Sequence, residues 1–248
     1  MTELYSPETI NETETGRRTL EWYSRFDLFA GLMAGHELVL GRDWFRVNDE
    51  YYRQQLSQDS QNIDLQIESA VARHRLIAVD MAMLFAKMPR GEINVVDFMR
   101  DNALITQRLG SWMDDLKPLL NDPRYLVTSF EGARQRDPEG IVNPDMPGGL
   151  YQRELWTVNF LLLDRTAMEM MHKSQTALML HQEPPPELRQ LAVEICRLFE
   201  AIEHWPHSPP GAVVAAQAVI GLATPHLPKD EKHTMWCRRK LAKVEGLG

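Results

Sequence analysis

An all-α fold is what this sequence predicts, on three observations. Apolar residues recur at steps of three and four along most of the chain, the spacing of a helix face. No stretch alternates apolar and polar residues as a half-buried strand does. With 248 residues and 44% hydrophobic content, the chain has enough apolar surface for a substantial core. The expected architecture is a compact array of about eight helices in two fused halves, one helical domain over 17–248 behind a flexible N-terminal tail over 1–16. The halves are expected at 17–120 and 150–248, joined by a loop over 121–149. No fixed period recurs, so a solenoid is not expected.

The first helix is expected near 17–36. Trp22, Phe26, Phe29 and Met33 step by four, three and four residues and form one stripe, and Tyr23, Ala30 and Ala34 widen it. Such a helix is expected to be core on more than one side. Gly35 is suited to end it, Gly41 to punctuate the turn, and Asp43 to cap the next helix. Helical spacing continues over 43–59, 63–88 and 95–120. The segment Asn121 to Gly149 carries Pro123, Gly132, Pro138, Gly140, Pro144, Pro147, Gly148 and Gly149 and interrupts the pattern. Two readings stand for it: an ordered loop anchored by Tyr125, Leu126, Phe130, Ile141 and Val142, or a lid over a pocket.

A helix over 150–181 follows, and Glu183-Pro184-Pro185-Pro186 turns the chain into the next, near 186–205. There Leu188, Leu191, Ile195, Leu198, Ile202 and Trp205 form a heptad-like seam of about two and a half repeats. It packs on another helix, within the chain or across a dimer. The apolar run from Gly211 to Ala223, broken only by Gln217, falls short of the ~20 residues that span a bilayer and reads as a buried helix over 209–224. The last helix is expected at 230–246.

The patterns WYSRFD, AGLMAG, LGRDWF, VDMAMLFAK and HTMWCRRKLAKVEGLG give this chain a family character. From about Arg17 to Gly248 it resembles the regulatory region of fungal zinc-cluster transcription factors, the helical domain that follows their DNA-binding module. The resemblance implies a ligand-responsive or self-associating control domain. It also raises the reading of an apolar pocket, since one branch of these regulators senses sterols. The family's DNA-binding module holds two zinc ions with six closely spaced cysteines, whereas this chain has only Cys196 and Cys237. That module is therefore not in this sequence.

Charge agrees with that division of labour. A formal net charge of -8 opposes unaided binding to nucleic acid, whose main affinity term is neutralisation of phosphates by Lys and Arg. No direct nucleic-acid contact and no membrane insertion are expected. Two cysteines about forty residues apart make no disulfide framework and fit a reducing compartment, and MTELYSPETI lacks the features of a signal peptide. The expected location is intracellular, nuclear or cytoplasmic.

Three carboxylates stand where apolar residues are expected: Asp27 beside Tyr23 and Ala30, Asp80 between Ile77 and Leu84, and Asp164 between Leu161 and Met168. A buried carboxylate needs a cation or several donors, and Arg25, Arg42, Arg75 and Arg165 are candidate partners. Thirteen methionines, grouped around Met81–Met88 and Met168–Met179, suit a malleable pocket or simple gap-filling. The residues expected to line an apolar pocket are Trp22, Phe26, Met33, Met83 and Met168. Arg238, Arg239 and Lys240, with Lys243, form the compact basic cluster, suited to nuclear import, a phosphate-bearing ligand or acidic partner residues. His204, His207, His233, Cys196 and Cys237 lack the close Cys-x-x-Cys spacing of a structural zinc site, so no metal and no cofactor are expected. No G-x-S-x-G elbow, P-loop, dinucleotide fingerprint or H-E-x-x-H occurs.

The function expected is thus that of a non-enzymatic effector domain of a transcriptional regulator, sensing a small apolar ligand or associating with itself as a dimer or with a co-regulator. The alternative is a stand-alone helical interaction protein that lacks DNA binding. An enzyme derived from the same fold is motivated only by the three carboxylates.

Overall fold

The computed structural model describes residues 4–34 and 38–246. Its helices are α1 (Glu14–Ala34), α2 (Arg42–Gln58), α3 (Ile63–Lys87), α4 (Val95–Ser111), α5 (Lys117–Leu120), α6 (Val158–Met179), α7 (Glu187–His204), α8 (Gln217–Ala223) and α9 (Glu231–Glu245). Among the described residues, extended pairing is limited to a single antiparallel bridge between Leu126 and Tyr151. The fold is all-α. It divides into two compact units, Met1–Pro118 with Met179–His181, and Leu119–Leu178 with Gln182–Gly248. The segment expected to join two halves is therefore part of the second unit.

In the first unit α3 is central. Fourteen of its 25 residues are buried, and α1, α2 and α4 all pack on it. Asn62 starts it by accepting the Leu65 N–H at 3.2 Å, and Asn94 starts α4 in the same way, from Asp97 N–H at 2.9 Å. Phe98 of α4, fully buried, meets Phe85 of α3 with ring centroids 5.9 Å apart. α2 begins at Arg42 behind Gly41, so Asp43 is not its cap; it sits in the first turn and pairs with Arg46.

α1 corrects the expected orientation. Its buried stripe is Leu20, Ser24, Leu28 and Leu32, while Trp22 and Phe26 are 67% and 57% exposed. The helix carries two apolar stripes, and the slimmer, aliphatic one faces the core. The placements expected for the Phe29 and Met33 side chains, and for Gly35 as a helix stop, lie outside the described residues. The expectation of a flexible tail is also corrected over 4–16. Ile10 is fully buried, Asn11 Nδ2 donates to Val47 O at 3.2 Å, and Arg17 donates to Asn11 O at 2.7 Å. A Cβ at Gly16 would collide with the Ile10 carbonyl oxygen, so glycine permits this close approach.

The core of the second unit joins α6, α7, α8 and α9. The α7 seam is buried inside it, with Leu188, Ile195, Leu198, Ile202 and Trp205 all at 9% exposure or less, which decides for intramolecular packing. Trp156 stacks on Trp205 at 5.3 Å. Both cysteines, Cys196 and Cys237, lie in the same core. The segment 121–149 is an anchored loop: Val127 N–H donates to Leu150 O and Gln152 N–H to Tyr125 O, both at 2.8 Å, and Phe130, Ile141 and Val142 pack on the core.

Three expected helices are shorter than their apolar pattern. α4 stops at Ser111, six residues before Lys117-Pro118, and the chain continues as a 3-10 turn over Asp114–Leu116. α6 starts only at Val158 because the Asn159 side chain holds the preceding segment open, accepting from Tyr151 N–H and donating to Tyr151 O. It ends before His181, which is left-handed at φ 53. Before α8, Gly211 at φ 73 opens a 3-10 turn over Ala212–Ala216.

Candidate functional site

The most built polar site among the described residues lies in the second unit. Along α7, Glu200, Glu203 and His204 stand at i, i+3 and i+4; along α9, Trp236, Arg239, Lys240 and Lys243 stand at i, i+3, i+4 and i+7. Each set shares a helix face, and the two faces oppose one another. The loop from Arg134 to Pro144, exposed over 134–139, flanks the third side of a half-open cleft of about 420 Å³. Asp137 shapes that loop by accepting the Glu139 N–H at 2.9 Å, and Gly140 N–H returns to Asp137 O at 3.0 Å.

The floor of the cleft is a chain of charge-assisted hydrogen bonds. The fully buried Trp236 indole donates to Glu200 Oε1 at 2.5 Å. Lys240 Nζ donates to Glu200 Oε2 at 2.9 Å and Glu203 Oε2 at 2.6 Å, and Lys243 Nζ donates to the other Glu203 oxygen. Burial pushes the Glu203 carboxyl up, but bonds and charge from Lys240 and Lys243 outweigh it and hold the group below its ordinary range. Burial likewise pulls the Lys240 ammonium down, and Glu203 and Glu200 reverse the effect and raise it.

On the loop side, Arg136 pairs with Asp145, which also meets His204 Nε2 at 3.3 Å, and the His204 ring stacks on Phe130. Arg239 donates to Glu139 O at 3.1 Å and lies 3.6 Å from Asp137. Arg134 and Gln135 line the cleft, and among the described residues neither side chain is in a hydrogen bond or ion pair.

The expected site residues distribute differently. Of the basic cluster, Arg239 and Lys240 line this cleft, and Arg238 is exposed. Of the apolar pocket candidates, Trp22 and Phe26 are exposed rather than enclosed: their rings meet at 4.8 Å on the outer face of α1, where Trp22 borders an open groove with Thr15, Arg18 and Thr19. Met83 is half-buried in the first unit and Met168 buried in the second. Met33 lies outside the described side chains.

The buried carboxylates have structural roles where their partners are visible. Asp27 accepts the main-chain N–H groups of Val39 at 2.9 Å and Leu40 at 2.8 Å, in place of the arginine expected, because these two amides occupy both of its carboxylate oxygens. Asp80 meets the arginine expectation. Arg42 of α2 reaches it at 2.5 and 3.2 Å and Arg108 of α4 at 2.6 Å, so one carboxylate on α3 ties three helices. Asp164 is half-buried on α6. In the first-unit core, His74 stacks on Trp112 at 4.5 Å, and its Nε2 and the Trp112 Nε1 are buried without a hydrogen-bond partner. Burial lowers the His74 pKa to about 3.

Glu200, Glu203 and Arg134 were not singled out by sequence reasoning, and His204 was weighed only as a metal ligand. The one available signal was the pair of carboxylates spaced i, i+3 beside the apolar α7 seam. His233 is bonded to Asp230 at 2.8 Å, and among the described residues no three His, Cys, Asp or Glu groups gather as a metal site. Among the same residues, no helix is long and apolar enough to cross a membrane. Comparison with models of known protein families, with curated proteins and with solved structures returned no match to this chain.

Proposed function

We propose that this chain is a non-enzymatic regulatory domain of the fungal zinc-cluster kind and that it senses a small polar molecule in the second unit's cleft. The observation that carries the sensing is a cleft of about 420 Å³, within the size range of small-molecule sites, whose loop wall presents Arg134 and Gln135 without partners. The resemblance carried by WYSRFD, LGRDWF and HTMWCRRK supports the regulatory context. Glu200 and Glu203 are both engaged by Lys240, which leaves neither poised as a general base and favours binding over catalysis. The ligand is polar rather than apolar, because the cleft walls are charged.

Ligand binding stabilises the loop from Arg134 to Pro144 against α7 and α9, and this population shift is the signal passed to DNA, a co-regulator or the nuclear-import machinery. A thermal-shift screen of polar metabolites tests the reading. A ligand that raises Tm and protects amides over 131–145 from hydrogen exchange supports it; a panel with neither effect counts against it.

A second reading, a helical assembly protein, is favoured by the exposed Trp22 and Phe26. Its occupant on α1 is a second copy of the chain. Light scattering distinguishes it: a dimer that becomes monomeric on Trp22→Ser/Phe26→Ser substitution supports assembly, and a monomer at every concentration removes it.

A further inference from the structure

We propose that the cleft of the second unit binds a small organic anion, a carboxylate or a phosphate monoester, through Arg134 on its loop wall and Arg239 on α9. This rests on the reading of the cleft as a sensing site and names the chemistry it takes.

The pairing of charges carries the argument. Lys240 and Lys243 are taken up by Glu200 and Glu203, and Arg136 by Asp145. Arg239 has only a loose counter-ion, Asp137 at 3.6 Å, with both side chains about two-fifths exposed. Arg134 lines the cleft with no counter-ion among the described residues. Counting Asp145, which pairs with Arg136, five cations of the cleft face four carboxylates, a surplus of one positive charge that falls on the exposed Arg134, on a chain whose formal net charge is -8. A cationic ligand meets like charge there, and a neutral one leaves the surplus uncompensated.

Guanidinium recognises both carboxylate and phosphate by two parallel N–H donors, so the two anions share one chemistry. Gln135 adds an amide donor and acceptor for a neighbouring hydroxyl. His204 is already held by Asp145 and Phe130, and so shapes the wall without competing for the anion.

Isothermal titration of the full chain at low salt, with citrate, glucose 6-phosphate and glucose as probes, tests this. The expected result is binding of citrate, glucose 6-phosphate or both, with the stronger one identifying carboxylate or phosphate, and no binding of glucose. Arg134→Gln weakens the anion about tenfold or more, the scale of one charge-assisted hydrogen bond, while Arg134→Lys, which keeps charge and loses the fork, falls between. Arg18→Gln, on exposed α1 in the first unit, leaves binding unchanged. An unchanged melting temperature of Arg134→Gln separates lost binding from lost folding. The proposal is overturned if neither anion binds, or if Arg134→Gln and Arg18→Gln weaken binding equally, as general surface attraction would. Glucose bound without either anion removes the anion assignment and leaves the sensing cleft standing; no binding by any probe or by the wider metabolite panel removes both.

Discussion

Replacing His74 by phenylalanine isolates one pH-dependent contribution to the stability of the first unit. The imidazole is 6% exposed, stacked on Trp112 and lowered by burial from 6.5 to about 3. Between those two values the unfolded chain binds a proton that the folded chain refuses, so stability falls as pH drops below 6.5 and stops falling near 3. At ~1.36 kcal/mol per pH unit, the loss reaches about 2 kcal/mol at pH 5 and about 5 kcal/mol when complete. Phenylalanine keeps a flat ring against Trp112 and has no proton to take up. Urea unfolding followed by tryptophan fluorescence, at pH 7.5 and pH 5 for both proteins, yields a difference of differences in which packing changes cancel. Parent protein is expected to lose about 2 kcal/mol more than His74→Phe between the two pH values, roughly a 30-fold change in the unfolding constant. Equal losses within about 0.5 kcal/mol would show that His74 protonates freely in the folded state and would refute the reasoning.

Three further substitutions address contacts described above. Asp27→Ala leaves the Val39 and Leu40 N–H groups without their acceptor and is expected to cost roughly 1–3 kcal/mol in chemical denaturation, with faster exchange of those two amides. Asp80→Asn removes the charge shared by Arg42 and Arg108; because both arginines are about two-fifths exposed, the expected loss is about 1–3 kcal/mol rather than that of a sealed ion pair, and it shrinks in high salt. Trp236→Phe deletes the indole donor to Glu200 inside the core of the second unit; a loss of about 1.5–3 kcal/mol is expected, read from the melting of that unit, with the far-ultraviolet spectrum unchanged.

Helices were legible in the sequence because their apolar spacing survives on any surface, buried or not. Which face of α1 turns inward was not, since Leu20, Leu28 and Leu32 form one apolar stripe and Trp22 and Phe26 another, and periodicity ranks neither. Asp80 was legible as a carboxylate in need of a cation. Asp27 was not, because its partners are main-chain N–H groups that leave no mark in side-chain type. The basic run on α9 was visible, but its meaning depended on carboxylates of α7 about forty positions away and on a loop about a hundred away. A cleft assembled from such distant segments has no local signature.

The two thiols have a use that follows from where the fold has put them. Cys196 and Cys237 are the only cysteines in the chain, both lie in the second unit's core at 4% exposure or less, and burial pushes the Cys196 thiol up. An alkylating reagent reaches them only when that core opens, so the labelling rate is a clock for the opening of the second unit alone. The first unit, which has no thiol, is silent in the same experiment. A ligand that closes the cleft over α7 and α9 slows this clock, and one that acts on the first unit leaves it running at its usual pace.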